Sequence, residues 1–426
     1  MWPAGGASPR AAPAPSVGAA PSVGVAPAVV AAPPGHPRFP LVDSLRAVAA
    51  LCVVVTHTAV FGGFATHAWT TALLTNLTIG VPVFFVISGF LLYRPFLAAQ
   101  VLGAPRTSLR RYAWRRLLRI VPAYWLALTV LAWWVNLRGV FTHDWWRYYL
   151  FLQVYSRRTV YGGILPAWTL CVEVTFYAFL PVYAAGMGRL AARVRRWGRI
   201  RLELVVVTVL AIASLALRTI DLAGPRTVLD NTLLENFDWF AMGIVLAAAS
   251  VAAQGGRGGH VVARWVVHRA VVCWAGALAL YVALAPLLGN PAVLSHGIYY
   301  QTPWGGLALH IGFAVVALLF VAPAVFPRPG SVPARVLSWK VLAWLGLISY
   351  GIYLWHDPLL GKLLAHGAYG WWPDKPFVVL TMTTIGAAVV AAALSYYVLE
   401  RPLLTLKNLT PRRRAGSRAR ARRAAR

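Results

Sequence analysis

Acidic residues are scarce in this chain of 426 residues, which holds 11 Asp and Glu against 40 Lys and Arg. Only 12% of the residues are charged, which is about half the usual share in a soluble domain. Because 59% are hydrophobic, so few charges cannot cover the apolar surface that a soluble fold of this size would expose. The composition therefore excludes an ordinary soluble enzyme and predicts a polytopic membrane protein.

Cysteine is also nearly absent. The three cysteines, Cys52, Cys171 and Cys273, each lie in an apolar stretch, and the chain has neither a CxxC pair nor a Cys/His cluster at zinc-binding spacing. We therefore expect no disulfide framework and no metal site. Small buried hydrophobic side chains are the ordinary role for such cysteines.

Apolar segments of membrane-spanning length dominate the rest of the chain. The predicted fold is an all-α membrane helix bundle with about ten transmembrane helices in residues 40–402. An Ala/Pro-rich segment, 1–39, precedes this domain and is expected to be disordered; a basic Arg/Ala-rich tail, 403–426, follows it. The ten predicted spans are 41–63, 78–97, 117–136, 165–187, 203–222, 234–253, 270–289, 305–326, 341–361 and 376–399.

The distribution of basic residues predicts an orientation. If the N-terminus is cytoplasmic, the inside segments hold 29 Lys and Arg and the outside segments hold 7. This asymmetry favours ten spans in the plasma (inner) membrane with both termini cytoplasmic. The net charge of +29 resembles that of a nucleic-acid-binding protein. However, no aromatic residues interleave with the arginines of the tail, so we expect it to contact anionic membrane lipid and no nucleic acid.

The first span carries three ionisable residues, Asp43, Arg46 and His57. Ionisable residues are costly inside a membrane and are therefore functional candidates. His57 lies eleven positions after Arg46, which places both on one helix face about 16 Å apart along the axis. Asp43 lies one turn before Arg46 and can pair with it. A neutral His57 suits a general base, but a structural histidine that bonds a neighbouring helix fits the same position.

Further candidates lie in later spans. Glu173 is a lone carboxylate that needs a partner, with Arg46 or His57 as the obvious ones. The basic run at 106–119 is either ordinary positive-inside charge or a rim that binds phosphate. His356 precedes Asp357 in the ninth predicted span, where a structural role is the alternative to catalysis.

Two groups at the predicted outer surface remain open. Tryptophan pairs at 133–134, 145–146 and 371–372 fit an interfacial aromatic belt or, alternatively, a surface on which a sugar stacks. Glu235 and Asp238, at the outer end of the sixth predicted span, are candidate contacts for an acceptor substrate.

Several short motifs, in order from residue 41 to 402, together resemble the membrane acyltransferase 3 family, which includes O-acetylases of O-antigen, exopolysaccharide and nodulation factor. The matching segments are Arg46-x10-His57, FVISGF at 85–90, RLLRIVP at 116–122, WTLCVEVTFY at 168–177, SYGIYLWH at 349–356 and ERP at 400–402. Three positions depart from the family pattern: Val174 and Thr175 stand where a second Glu and a Gln are usual, and Val121 stands where Tyr is common. No SGNH hydrolase-like domain is expected after residue 402.

The resemblance implies an integral membrane O-acyltransferase that moves an acyl group, usually acetyl, from cytoplasmic acyl-CoA to a hydroxyl of a carbohydrate, glycolipid or secondary metabolite. It assigns the essential histidine to His57 with Arg46 as its partner. The arginine pair associated with acyl-CoA is Arg116 and Arg119, and the acidic position is Glu173.

A mechanism follows as a hypothesis. Arg115, Arg116 and Arg119 hold the phosphates of acyl-CoA, and His57 acts as general base or, alternatively, as a transient acyl carrier. Glu173 would hold the His57 tautomer.

Asp43 would orient or tune the charge of the same site, and His356 is a second-choice catalytic residue. A carrier or flippase for a sugar-linked lipid or small molecule is the alternative function. Against it, the sequence has no inverted halves.

Overall fold

The computed structural model describes residues 39–64, 68–194, 198–223, 229–256, 260–287 and 303–406. All but the last residue of the Ala/Pro-rich segment, which was expected to be disordered, and most of the basic tail lie outside these ranges. Within them the chain is helical and contains no strand. The α-helices are α1 Leu41–Phe61, α2 Ala68–Thr75, α3 Gly80–Val101, α4 Leu109–Val135, α5 Trp145–Tyr149, α6 Trp168–Arg193, α7 Arg199–Ala223, α8 Leu233–Gln254, α9 His260–His268, α10 Ala270–Leu284, α11 Pro303–Val325, α12 Val332–Leu337, α13 Lys340–Ala365, α14 Pro376–Ser395 and α15 Arg401–Thr405.

Nine helices in the described residues are long and apolar enough to cross a membrane. They confirm nine of the ten predicted spans, and the chain is a multi-pass membrane protein of the all-α class. The predicted span at 341–361 is also helical, as α13, but it is not among the nine. Its 26 residues are sufficient in length; the strongly polar His356 and Asp357 lower its hydropathy, so composition alone gives nine spans rather than ten.

Helix α1 lies at the centre of the bundle and packs against α3, α11, α13 and α14. It runs parallel to α13. Near the start of both helices the Ser44 hydroxyl donates to the carbonyl of Leu337 at 2.6 Å, and Gly346 lies against the backbone of Asp43. The absence of a side chain at Gly346 permits this approach, because a Cβ there would collide with the Asp43 carbonyl.

Helices α3 and α8 cross closely in the core. Gly89 and Gly243 face each other across it, and a Cβ on either would collide with the backbone of the opposite helix. The absence of a side chain at both glycines therefore permits this close approach. Beside the crossing, Phe240 stacks between Phe85 and Phe176, with ring centroids 4.5 and 4.1 Å away.

Candidate active site

Two cavities adjoin inside the bundle, and α1 contributes to both. The first, the arginine cavity, is lined by Arg46, Arg116, Arg119, Glu173, Tyr177 and Tyr350, among others. The second, the histidine cavity, is lined by His57, Arg218, Asp221, Asp230, Glu235 and His310, together with several aromatic side chains. Val81 and Tyr353 line both cavities. The Arg46 and His57 stripe predicted on α1 therefore connects two neighbouring spaces.

His57 contacts α13 rather than Glu173. Its Nδ1 lies 2.9 Å from Nε2 of His356, and the two rings stack with centroids 5.0 Å apart. Asp357 approaches the same Nδ1 at 3.8 Å. His356 is fully buried, whereas the side chain of His57 is 18% exposed and lines the histidine cavity. The residue that orients His57 is thus the second-choice candidate, His356.

The hydrogen bonds of His356 determine which nitrogen carries the hydrogen in the rings of His356 and His57. Its Nδ1 lies 2.9 Å from the carbonyl of Tyr353 and 3.2 Å from that of Ile352. Carbonyl oxygens only accept, so this Nδ1 carries the hydrogen. In neutral His356 the Nε2 is then an acceptor, and Nδ1–H of His57 donates to it. Among the described residues, the other nitrogen of His57, Nε2, has no hydrogen-bond partner, so its lone pair is free.

The local sequence of α13 makes this contact possible. Gly351 packs against Ala392 of α14, so that α13 lies close to its neighbours on two sides. Two residues further along, the Tyr353 hydroxyl donates to the carbonyl of Pro166 at 2.9 Å and bonds the hydroxyl of Thr169 at 2.6 Å. These bonds fix α13 to the start of α6 and hold His356 opposite His57.

The arginine cavity brings together the predicted cations. Arg46 pairs with Asp43 at 3.7 Å, which confirms the predicted pair, and the carboxylate of Asp43 is half-exposed at 55%. Arg116 lies over the ring of Tyr177, 5.7 Å from its centroid. Arg119 lines the same cavity, but Arg115 is exposed and does not. Three of the four predicted arginines therefore share one space.

Glu173 also lines the arginine cavity, but its hydrogen bonds differ from the predicted ones. Ser88 donates to its Oε1 and Tyr177 to its Oε2, both at 2.7 Å. The expectation that Glu173 holds the His57 tautomer is therefore wrong, because His356 occupies that position. Glu173 instead faces the cations of the arginine cavity.

Glu235 and Asp238 are both buried in α8. Glu235 lines the histidine cavity. The carboxylate of Asp238 bonds Nε2 of His310 at 2.9 and 3.0 Å. Sequence analysis did not single out His310, although a lone histidine in the apolar span at 305–326 is a usable signal.

None of the six tryptophans in the three predicted pairs lines the histidine cavity, whereas Trp168 and Trp239 do. The paired tryptophans are exposed on the outside of the bundle, up to 81% for Trp133. This position fits an aromatic belt. In the described residues, no group of three or more His, Cys, Asp or Glu side chains is arranged to hold a metal ion.

Comparison with known proteins identifies the family to which this chain is similar. A family model described as an acyltransferase domain matches residues 40–399. The chain is 25% identical to the peptidoglycan O-acetyltransferase OatA of Listeria monocytogenes over 382 residues, which are 85% of this chain and 54% of that protein. It is 26% identical to nodulation protein 10 of Rhizobium leguminosarum bv. viciae over 401 residues, 87% of this chain and 95% of that protein.

The chain spans about half the length of OatA and of a second relative, from Bacillus subtilis, that is named a putative peptidoglycan O-acetyltransferase. No solved structure matches the chain.

Proposed function

The chain belongs to the acyltransferase 3 family, and from this premise we propose that it is a plasma-membrane O-acetyltransferase that moves acetyl from acetyl-CoA to a hydroxyl of a cell-envelope polysaccharide. Support for the reaction comes from His57, whose Nδ1 contacts His356 while its Nε2 has no partner in the part of the chain that the structure describes. Support for the acceptor class comes from the relatives, among them a peptidoglycan O-acetyltransferase.

The donor binds at the arginine cavity in this proposal. Arg46, Arg116 and Arg119 present three cations to one space, and guanidinium groups bind phosphate through paired, charge-assisted hydrogen bonds. These residues fit the phosphates of coenzyme A. Tyr353 and Val81 line both cavities, so a thioester that extends past them reaches the histidine cavity.

The acceptor binds in the histidine cavity. Its volume of about 490 Å³ lies within the range of roughly 300–1,000 Å³ typical of ligand pockets. Trp168 and Trp239 line it with aromatic rings, while Arg218 and Asp221 line it with polar side chains. A pyranose presents the same combination of an apolar face and polar edges.

The chemical step uses His57 as general base. Its Nε2 takes the proton from the acceptor hydroxyl as that oxygen attacks the thioester carbonyl. The C–O bond forms, the C–S bond breaks, and the imidazolium returns its proton to the departing sulfur, so the products are the O-acetyl ester and CoA–SH. While His57 is charged, Asp357 at 3.8 Å from Nδ1 stabilises it.

The test measures acceptor-dependent release of CoA. Purified protein in lipid nanodiscs is incubated with labelled acetyl-CoA and soluble muropeptides, and both free CoA and alkali-labile acetyl on the glycan are measured. We expect His57→Ala to lower transfer at least about 100-fold, which is the scale of lost general-base catalysis.

His366→Ala is the matched control, because His366 is an exposed histidine at the end of α13. Full transfer by a folded His57→Ala variant contradicts the role of His57. If the wild-type protein releases no CoA in the presence of muropeptides, the proposed function is wrong and the carrier alternative gains support.

A further inference from the structure

A second histidine faces the histidine cavity. His310, on α11, is 5% exposed, and its ring stacks on Trp239 with the centroids 4.2 Å apart. The indole nitrogen of Trp239 donates to the carbonyl of His310 at 3.1 Å, so the same tryptophan holds both the ring and the backbone of the histidine. His310 is therefore fixed in position before any ligand enters.

The contacts of His310 leave one nitrogen available. Nε2 lies 2.9 and 3.0 Å from the two carboxylate oxygens of Asp238, which only accept, so Nε2 carries a hydrogen. In the neutral ring, Nδ1 then has a free lone pair. Among the described residues, Nδ1 has no hydrogen-bond partner, and it is not one of the fully enclosed polar atoms. Since His310 lines the histidine cavity, this lone pair is open to that space.

An accepting nitrogen in this position selects a ligand that donates a hydrogen bond. The groups that donate from a carbohydrate are its hydroxyls and amides. His57 and His310 line the same cavity from different helices, α1 and α11, which pack against each other. One cavity thus presents two imidazole nitrogens with free lone pairs.

We infer that His310, held by Asp238, binds a second hydroxyl of the polysaccharide acceptor while His57 acts on the reacting hydroxyl. His310 is a specificity-determining residue for an acceptor with at least two neighbouring hydroxyls. Asp238 is a positioning residue that fixes the tautomer of His310. This inference rests on the proposed function.

The test uses a pair of amides that replace one ring nitrogen each. In His310→Asn the amide occupies the place of Nδ1, so an acceptor atom remains at the cavity and the contact with Asp238 is lost. In His310→Gln the amide occupies the place of Nε2, so the contact with Asp238 remains and the cavity-facing acceptor is lost. If His310 only bridges α8 and α11, the Gln variant should behave like wild type because it keeps the contact with Asp238. If His310 binds the acceptor, the Asn variant should behave like wild type because it keeps the acceptor atom at the cavity.

Kinetics are measured with soluble muropeptides as the acceptor and acetyl-CoA as the donor. We expect His310→Gln to raise the KM for muropeptides about tenfold, the scale of one lost hydrogen bond, with the KM for acetyl-CoA unchanged. We expect His310→Asn to keep the muropeptide KM within about threefold of wild type. Size-exclusion chromatography in detergent establishes that both variants are folded.

The opposite order, with the Gln variant normal and the Asn variant impaired, overturns the inference and assigns a structural role to the pair. Equal muropeptide KM values in both variants and in wild type overturn it as well. A wild-type protein without acceptor-dependent CoA release contradicts the proposed function, and this inference falls with it. The two failures are distinct because only the second is seen before any variant is made.

Discussion

At the scale of single residues, the tautomer of His57 depends on one acceptor atom, Nε2 of His356. We expect His356→Leu, which removes that atom, to lower kcat about 100-fold or more, because a misplaced proton on a catalytic imidazole is costly. His356→Gln places an amide oxygen near the same point, and we expect it to retain kcat within about tenfold of wild type. The measurement is kcat and KM for acetyl transfer by each variant.

For the two His356 variants, the KM for acetyl-CoA distinguishes a positioning role of His356 from a role in holding the bundle together. A positioning role leaves that KM unchanged in both variants, while a collapse of the bundle alters it. Equal kcat values for the Leu and Gln variants would contradict the proposal that His356 orients His57.

A second prediction at this scale concerns the donor. We expect Arg116→Ala and Arg119→Ala each to raise the KM for acetyl-CoA about tenfold or more, since hydrogen bonds to charged groups contribute about 1.5–3 kcal/mol each. Arg115→Ala is the matched control, because Arg115 lies on the same helix but outside the arginine cavity. Steady-state kinetics at two salt concentrations check this, and an Arg115 effect as large as the others would contradict it.

The sequence predicted part of this site. Arg46 and His57 lie on one helix, so helical periodicity alone places them on one face. The contact between His57 and His356 joins positions 299 apart, and periodicity within a helix says nothing about which distant helix packs beside it. The same reason explains why Glu173 was expected at His57, although it bonds Ser88 and Tyr177.

At the scale of helices, the crossing of α3 and α8 depends on Gly89 and Gly243. We expect Gly89→Ala to destabilise the protein by about 1–3 kcal/mol, the range for overpacked cores, because its Cβ would meet the backbone of Phe240. Gly186→Ala is the matched control, since Gly186 is also in a helix but has open space around it. Thermal unfolding in detergent measures both, and an equal melting temperature for Gly89→Ala and wild type would contradict the prediction.

Hydropathy located most of the helices because a spanning segment must be both long and apolar. It was less informative for α13, which is long but carries His356 and Asp357. These polar side chains are accommodated by contacts within the bundle, to His57 in particular. A helix of this kind is stabilised by its neighbours rather than by its own composition.

At the scale of the whole molecule, whether or not α13 crosses the membrane determines on which side of the membrane the described chain ends. Nine spans would place the two ends of the described chain on opposite sides, and ten would place them on one side. The approach of Gly346 to Asp43 near the start of both helices and the His57 to His356 contact further along show that α1 and α13 run parallel at matching depths. Eight of the nine candidate spans precede α13. After eight crossings the chain is again on the side of the membrane where α1 begins, so a spanning α13 must run parallel to α1.

We therefore expect α13 to cross the membrane, with both ends of the chain in the cytoplasm as the distribution of Lys and Arg predicts. Reporter fusions after residue 406 test this, because alkaline phosphatase is active only outside the cytoplasm and green fluorescent protein folds readily only inside. We expect a fluorescent and phosphatase-negative fusion there. A fusion in the loop between α13 and α14, at Gly370, is the matched control and should give the reverse result. Phosphatase activity after residue 406 would mean that nine helices cross, with α13 held within the bundle without spanning it.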